Sequence, residues 1–234
     1  MKKLLLIMLM AALLPLASLA QNLEDCPVVQ IDTDSGTIKI ALYNETPLHR
    51  DNFLKLVKEG FYDGLLFHRV ISNFMIQTGD SLSRHAEPGK ELGDGAYETY
   101  KIPAEIRFPQ IFHRRGTVAA AREGDAENPE RMSSMCQFYI VWGKKLSNNM
   151  MDDVEERIAR NTGNIISFPK ELREVYMRVG GTPHLDGQYT VFGEVLEGMD
   201  VVDRIQWAET DDNARPLKDI HIIRATVLKD LHQQ

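Results

Sequence analysis

Short apolar runs, some alternating with polar residues and some continuous, recur along the chain between polar turns. Val28 to Leu42 predicts two strands around Asp32-Thr33-Asp34-Ser35-Gly36, a polar hairpin turn. A helix is expected to open at Thr46-Pro47, with Thr46 as N-cap and Pro47 at the first helical position. Phe53, Leu54, Leu56 and Val57 give it one apolar face, and Gly60 is placed to end it. Tyr62-Asp63-Gly64 then turns the chain into an extended run from Phe67. Ser81 to Tyr100 is Gly-rich, charged and aperiodic, which predicts a long surface loop.

Gly116 to Ala121 and Gln137 to Trp142 read as strands flanking a polar loop, Glu123 to Met132. Helical spacing returns over Met150 to Ala159 and Pro169 to Val179, with Val154, Ile158, Leu172, Val175 and Tyr176 on the apolar faces. Tyr189 to Glu194 is again strand, Gly198 to Ile205 a short helix, and Asp219 to Leu228 a closing strand. There is no internal repeat and no low-complexity tract. Many short strands with few helices predict a mainly β domain, and the pattern alone allows a barrel or a sandwich equally.

The chemistry is concentrated in residues 67–80, Phe-His-Arg-Val-Ile-Ser-Asn-Phe-Met-Ile-Gln-Thr-Gly-Asp. Side chains alternate between faces along a strand, so Arg69, Ile71, Met75 and Gln77 share parity unless a turn at Ser72-Asn73 resets the register. One guanidinium, one carboxamide and an apolar pair form a surface without a nucleophile. Such a surface suits holding and twisting a peptide better than cutting it.

The same run resembles the signature of the cyclophilin-type peptidyl-prolyl isomerases almost position for position. Three later segments follow in that family's order: Gly116-Thr117-Val118-Ala119-Ala120-Ala121-Arg122, Gln137-Phe138-Tyr139-Ile140 and Leu185-Asp186-Gly187-Gln188-Tyr189-Thr190-Val191-Phe192-Gly193. The resemblance spans roughly residues 28 to 230 and is interrupted by an insertion, residues 143–181. It implies a closed antiparallel β-barrel of about eight strands with two capping helices and an inserted helical segment. It also implies an isomerase that turns X-Pro peptide bonds in proline-containing polypeptides and needs no cofactor. Arg69 falls on the family's catalytic arginine. Phe74, Met75, Tyr139 and Leu185 fall on its apolar proline pocket, with Phe138 facing the core behind. Gln77 and Gln137 fall on polar positions that bond peptide backbone, and Ala121-Arg122 on the edge that receives the substrate's main chain. His68 also belongs to the signature, but a rotation requires no proton transfer from it.

Several positions depart from that family's pattern. Tyr139 stands where many members carry Phe, and its hydroxyl changes the pocket floor. Tyr189, a further expected substrate-binding residue, stands where many have His. His184 replaces the Trp of cyclosporin-sensitive members, so tight binding of that drug is not expected. Arg84, Glu87, Lys90 and Glu91 charge the loop beside the groove, and Met135-Cys136 replaces a smaller, more polar pair. The insertion is expected to be a helical excursion covering a barrel end, with a partner-binding role as the alternative.

The first 20 residues change the expected compartment. Met1-Lys2-Lys3, an apolar run from Leu4 to Leu16 and Ser18-Leu19-Ala20 make a secretory signal, with a retained anchor as the alternative. Residues 21–27 then form a lead-in to a domain over 28–230. Export to a periplasm is expected, with full secretion as the alternative, and no stable membrane association after cleavage. Removing Lys2 and Lys3 takes the formal charge from −7 to about −9, which argues against a nucleic-acid partner. Cys26 and Cys136 are expected to remain unpaired, although an exported chain would permit a disulfide. The seven histidines show no HExxH spacing or other metal-ligand pattern, and there is no Gly-x-Ser-x-Gly elbow. A metal or serine hydrolase is thereby disfavoured. A proline-binding or chaperone module with little turnover remains the alternative to the isomerase.

Overall fold

The computed structural model describes residues 23–95, 98–163 and 166–230. The expected signal at 1–20 lies outside them, as do the first two residues of the lead-in. Ten strands form among the described residues: β1 Val28–Thr33, β2 Gly36–Leu42, β3 Arg69–Ile71, β4 Met75–Thr78, β5 Lys101–Ile102, β6 Thr117–Ala120, β7 Ser133–Ser134, β8 Phe138–Val141, β9 Val191–Glu197 and β10 Ile222–Lys229. Four α-helices accompany them: α1 Pro47–Lys58, α2 Asn148–Thr162, α3 Lys170–Arg178 and α4 Met199–Gln206.

Eight strands make one strongly curled antiparallel sheet in the order β10-β1-β2-β9-β6-β8-β4-β3. Its outer strands do not pair directly. The segment before β3 closes the gap, since Phe67 donates its main-chain N–H to Ile220 O at 2.9 Å and Ile222 donates to Leu65 O at 2.7 Å. Barrel closure removes the open edge that a sandwich would have to protect. β5 and β7 form a separate short pair. The hairpin joining β1 to β2 is tighter than its sequence suggests, because Thr33 pairs with Gly36 and only Asp34-Ser35 turn.

One apolar core fills the barrel, built from Ile31, Ile38, Ile40, Phe67, Ile76, Val118, Phe138, Ile140 and Phe192 among others. α1 contributes Phe53, Leu54, Leu56 and Val57 to it, and α4 contributes Val201, Val202 and Ile205. Gly60 follows the C-cap of α1 at φ 66°, as the sequence requires. Thr46 is the N-cap residue, but its hydroxyl makes no cap hydrogen bond. Glu105 serves instead, accepting from the main-chain N–H groups of Leu48 at 3.2 Å and His49 at 3.0 Å. Cys26 and Cys136 are both buried, and no disulfide joins them.

Residues 143–181 leave and rejoin the barrel at one place. Gly181 donates to Lys144 O at 3.0 Å, and a Cβ on Gly143 would fall 2.2 Å from Gly181 O. Between these ends α2 and α3 build a second core, in which Met151, Ile158, Phe168, Leu172 and Tyr176 pack with Phe112. Both helices extend beyond or within the predicted limits by a turn or less.

Candidate active site

The hairpin of β3 and β4 determines where the guanidinium goes. Arg69 pairs with Gln77 and Ile71 with Met75, so paired residues share a face and the expected parity survives the turn. The turn holds because Asn73 takes the left-handed conformation, φ 59°, and Phe74 donates to Ile71 O at 3.0 Å. β4 then lies between β3 and β8, which places Tyr139 opposite Gln77 and Phe138 opposite Thr78. Gly79 ends β4 at φ 102°, where a Cβ would stand 2.2 Å from Cys136 O. Only glycine permits β4 and the approach to β8 to come this close.

These strands and the turn at Pro183–Leu185 enclose a pocket of about 130 Å³. Arg69, Phe74, Met75, Gln77, Ala121, Arg122, Tyr139, Leu185 and Tyr189 line it. The structure therefore brings nine of the ten sequence-selected residues around one small cavity. The tenth, Gln137, lines an adjoining cavity of about 400 Å³ that shares Gln77, Ala121 and Arg122 with the first. Met75 and Tyr139 are buried beneath the floor, whereas Phe74, Leu185 and Tyr189 are half-exposed walls.

Arg69 is exposed at the mouth and tethered on one side. Its Nη1 donates to Gln77 Oε1 at 3.1 Å, and Gln77 Nε2 donates to Gln137 Oε1 at 3.2 Å. Gln137 Nε2 in turn reaches Glu98 Oε1 and Gly93 O, each at 3.4 Å. Desolvation lowers the Arg69 pKa from its usual range, but an arginine keeps its charge in proteins. His68 beside it is buried, and desolvation brings its pKa down to about 4. The imidazole is thus neutral near pH 7 and adds no second positive charge. Burial pushes the Cys136 thiol up to about 12, which leaves it an inert thiol rather than a thiolate.

The Ala121-Arg122 edge differs in detail from its expected use. Ala121 donates to Gln137 O at 2.9 Å and accepts from Ser134 N–H at 2.8 Å, so its main chain is already engaged and the open edge begins at Arg122. The Arg122 side chain is only 2 % exposed. It lies over Tyr189, 4.3 Å from the ring centroid, and is held by Asp125 and Gln188 O. Its charge braces the wall and does not project into the groove. Arg84, expected to charge the groove's rim, likewise turns inward to the carbonyls of Phe61 and Asp63.

Sequence reasoning missed His113 and Asp186. His113 lies behind Tyr139, its ring stacked at 12° with centroids 6.1 Å apart, and Asp186 lies behind His113. Asp186 sits inside a recognised segment, next to Leu185, but nothing in the sequence marks His113. Among the described residues no group of three or more His, Cys, Asp or Glu is disposed to hold a metal.

Comparison with known proteins places this geometry. The family described as cyclophilin type peptidyl-prolyl cis-trans isomerase/CLD matches residues 28–227. A protein of Staphylococcus aureus (strain USA300), provisionally named a peptidyl-prolyl cis-trans isomerase, is 30% identical over 83% of this chain and 88% of its own length. A provisionally named bifunctional phosphatase/peptidyl-prolyl cis-trans isomerase of Streptococcus pyogenes serotype M6 is 32% identical over 84% of this chain, which spans 37% of that longer protein. Among solved structures, a Cryptosporidium parvum cyclophilin type peptidyl-prolyl cis-trans isomerase superposes with a TM-score of 0.60 at 23% identity, covering 88% of this chain and 99% of that one. That likeness concerns the fold, and the sequence match carries the kinship. The chain belongs to the cyclophilin-type peptidyl-prolyl cis-trans isomerase family.

Proposed function

We propose that this chain catalyses cis–trans exchange of X-Pro bonds, with Arg69 as the catalytic residue and the 130 Å³ pocket as the proline site. The barrier of about 18–20 kcal/mol arises from the partial double bond of the amide. In the twisted transition state the amide nitrogen regains its lone pair, and a donor aimed at it binds that state better than the planar one. Arg69 supplies a planar, permanently charged fork of donors. Gln77, Gln137 and Glu98 limit its freedom, so less ordering remains to be done as the substrate twists. Phe74, Met75, Tyr139 and Leu185 grip the ring while the preceding carbonyl swings, and Tyr189, braced by Arg122, closes one side. The observation that carries the reading is the convergence of Arg69 and this apolar set on one cavity of proline size. The C. parvum relative was also solved in the presence of the dipeptide Ala-Pro, which fits a proline-peptide ligand here.

The client class follows from the leader. Residues 1–20 have the charge and apolar pattern of a secretory signal, so the clients are exported polypeptides, met in a periplasm, whose prolyl bonds limit folding.

Exchange of a short X-Pro peptide tests the reading, comparing the mature chain with Arg69→Ala. The loss of a charge-assisted contact worth about 1.5–3 kcal/mol lowers kcat/KM roughly 10- to 150-fold, with circular dichroism unchanged. A folded parent that catalyses no exchange would leave a proline-binding or chaperone module. Mass spectrometry of exported material is expected to find the chain beginning at Gln21.

A further inference from the structure

Behind the pocket runs a line of buried polar groups that rotation of a peptide bond does not use. The Tyr139 hydroxyl lies 3.0 Å from His113 Nε2, and Nδ1 of the same ring lies 2.8 Å from Asp186 Oδ1. The Tyr176 hydroxyl donates to Asp186 Oδ2 at 2.5 Å, and the His113 main-chain N–H also donates to Oδ1 at 2.8 Å. All four side chains are buried, Asp186 and Tyr176 completely. Tyr139 belongs to the pocket floor and Tyr176 to α3, so the line joins the site to the helical segment.

Bonding capacity fixes the direction of the links to Asp186. A carboxylate only accepts, so His113 donates from Nδ1 and Tyr176 from its hydroxyl. In the Nδ1–H tautomer Nε2 is a bare acceptor, and the Tyr139 hydroxyl is the donor that faces it. Tyr139 therefore sends its proton away from the pocket, and its ring is held at the end remote from the substrate. Packing repeats the connection: α2 lies against the turn Pro183–Leu185, and Thr182 donates to His113 O at 2.9 Å.

We propose that Tyr176, Asp186 and His113 are positioning residues of the isomerase site, through which segment 143–181 sets the place of Tyr139 on the pocket floor. The proposal rests on the isomerase reading above. None of the three touches the substrate, so their removal acts on how well proline is held rather than on Arg69.

The test combines two readouts. In ring ¹⁵N spectra of the parent, His113 is expected as the Nδ1–H tautomer with Nε2 accepting; an Nε2–H ring would overturn the proposal without any activity measurement. In exchange kinetics with an Ala-Pro peptide, Tyr176→Phe is expected to raise KM about three- to tenfold with little change in kcat. In a Tyr139→Phe background the same change should add nothing, because the line is already cut. Arg173→Ala, which removes ion pairs to Asp152 and Glu155 on the same helices without touching the line, is expected to keep the parent KM. Additive effects, an unchanged Tyr176→Phe, or an equal KM rise in Arg173→Ala would each overturn the positioning role. A folded but inactive parent would instead overturn the isomerase reading, and this proposal with it.

Discussion

His68 shows how a single side chain can be shaped by its surroundings and leave a mark on the whole protein. Buried beside the charged Arg69, it is held near pKa 4, below its ordinary 6.5. Between those values the unfolded chain takes up a proton that the folded one refuses. Stability is therefore fully present above about 6.5, falls as pH drops towards 4 and levels off below, by on the order of 3 kcal/mol. His68→Leu should flatten that fall in urea midpoints measured across the window. Parallel profiles for parent and variant would assign the acid sensitivity elsewhere. At this scale the candidate site was legible in advance. Arg69, Met75 and Gln77 could be placed on one face because strand parity is local, and the turn at Asn73 preserved it.

Elements were legible in existence and less so in what secures them. α1 was expected from Thr46-Pro47 and its apolar face, and it forms there. Its N-terminus is nevertheless satisfied by Glu105, more than fifty residues away, a pairing that no local pattern encodes. Burial alone would raise the Glu105 pKa, but the His49 side chain and the main-chain groups of His49 and Leu48 hold it below the usual carboxylate range. Glu105→Gln, with one acceptor oxygen in place of two, should cost about 1–2 kcal/mol. The readout is a lower urea midpoint at unchanged m; an unaltered midpoint would mean that α1 needs no outside cap. The line from Tyr176 to Tyr139 escaped sequence reading for the same reason. Asp186 and His113 are 73 residues apart in the chain, and the pairing of β6 with β9 brings the segments that carry them together.

At the scale of the molecule, the described residues hold three apolar clusters: the barrel core, a smaller one beneath the pocket, and that of the helical segment. The barrel core draws on strands from both ends of the sequence, whereas the helical segment builds its own cluster with Phe108 and Phe112 and rests α2 on the turn Pro183–Leu185. Replacing residues 144–180 by a two-residue linker should leave a barrel that still melts cooperatively, with a raised KM for proline peptides. Loss of cooperative melting would show that the barrel depends on the segment to fold. The reason for expecting otherwise is the contact between Gly143 and Gly181, where the chain departs and returns through the same doorway. A detour that begins and ends at one point asks nothing of the path around it, so the segment is in effect a detachable cassette. Any helical pair with matched ends could be spliced into that doorway. To serve the pocket, it would need only to deliver one hydroxyl where Tyr176 now stands.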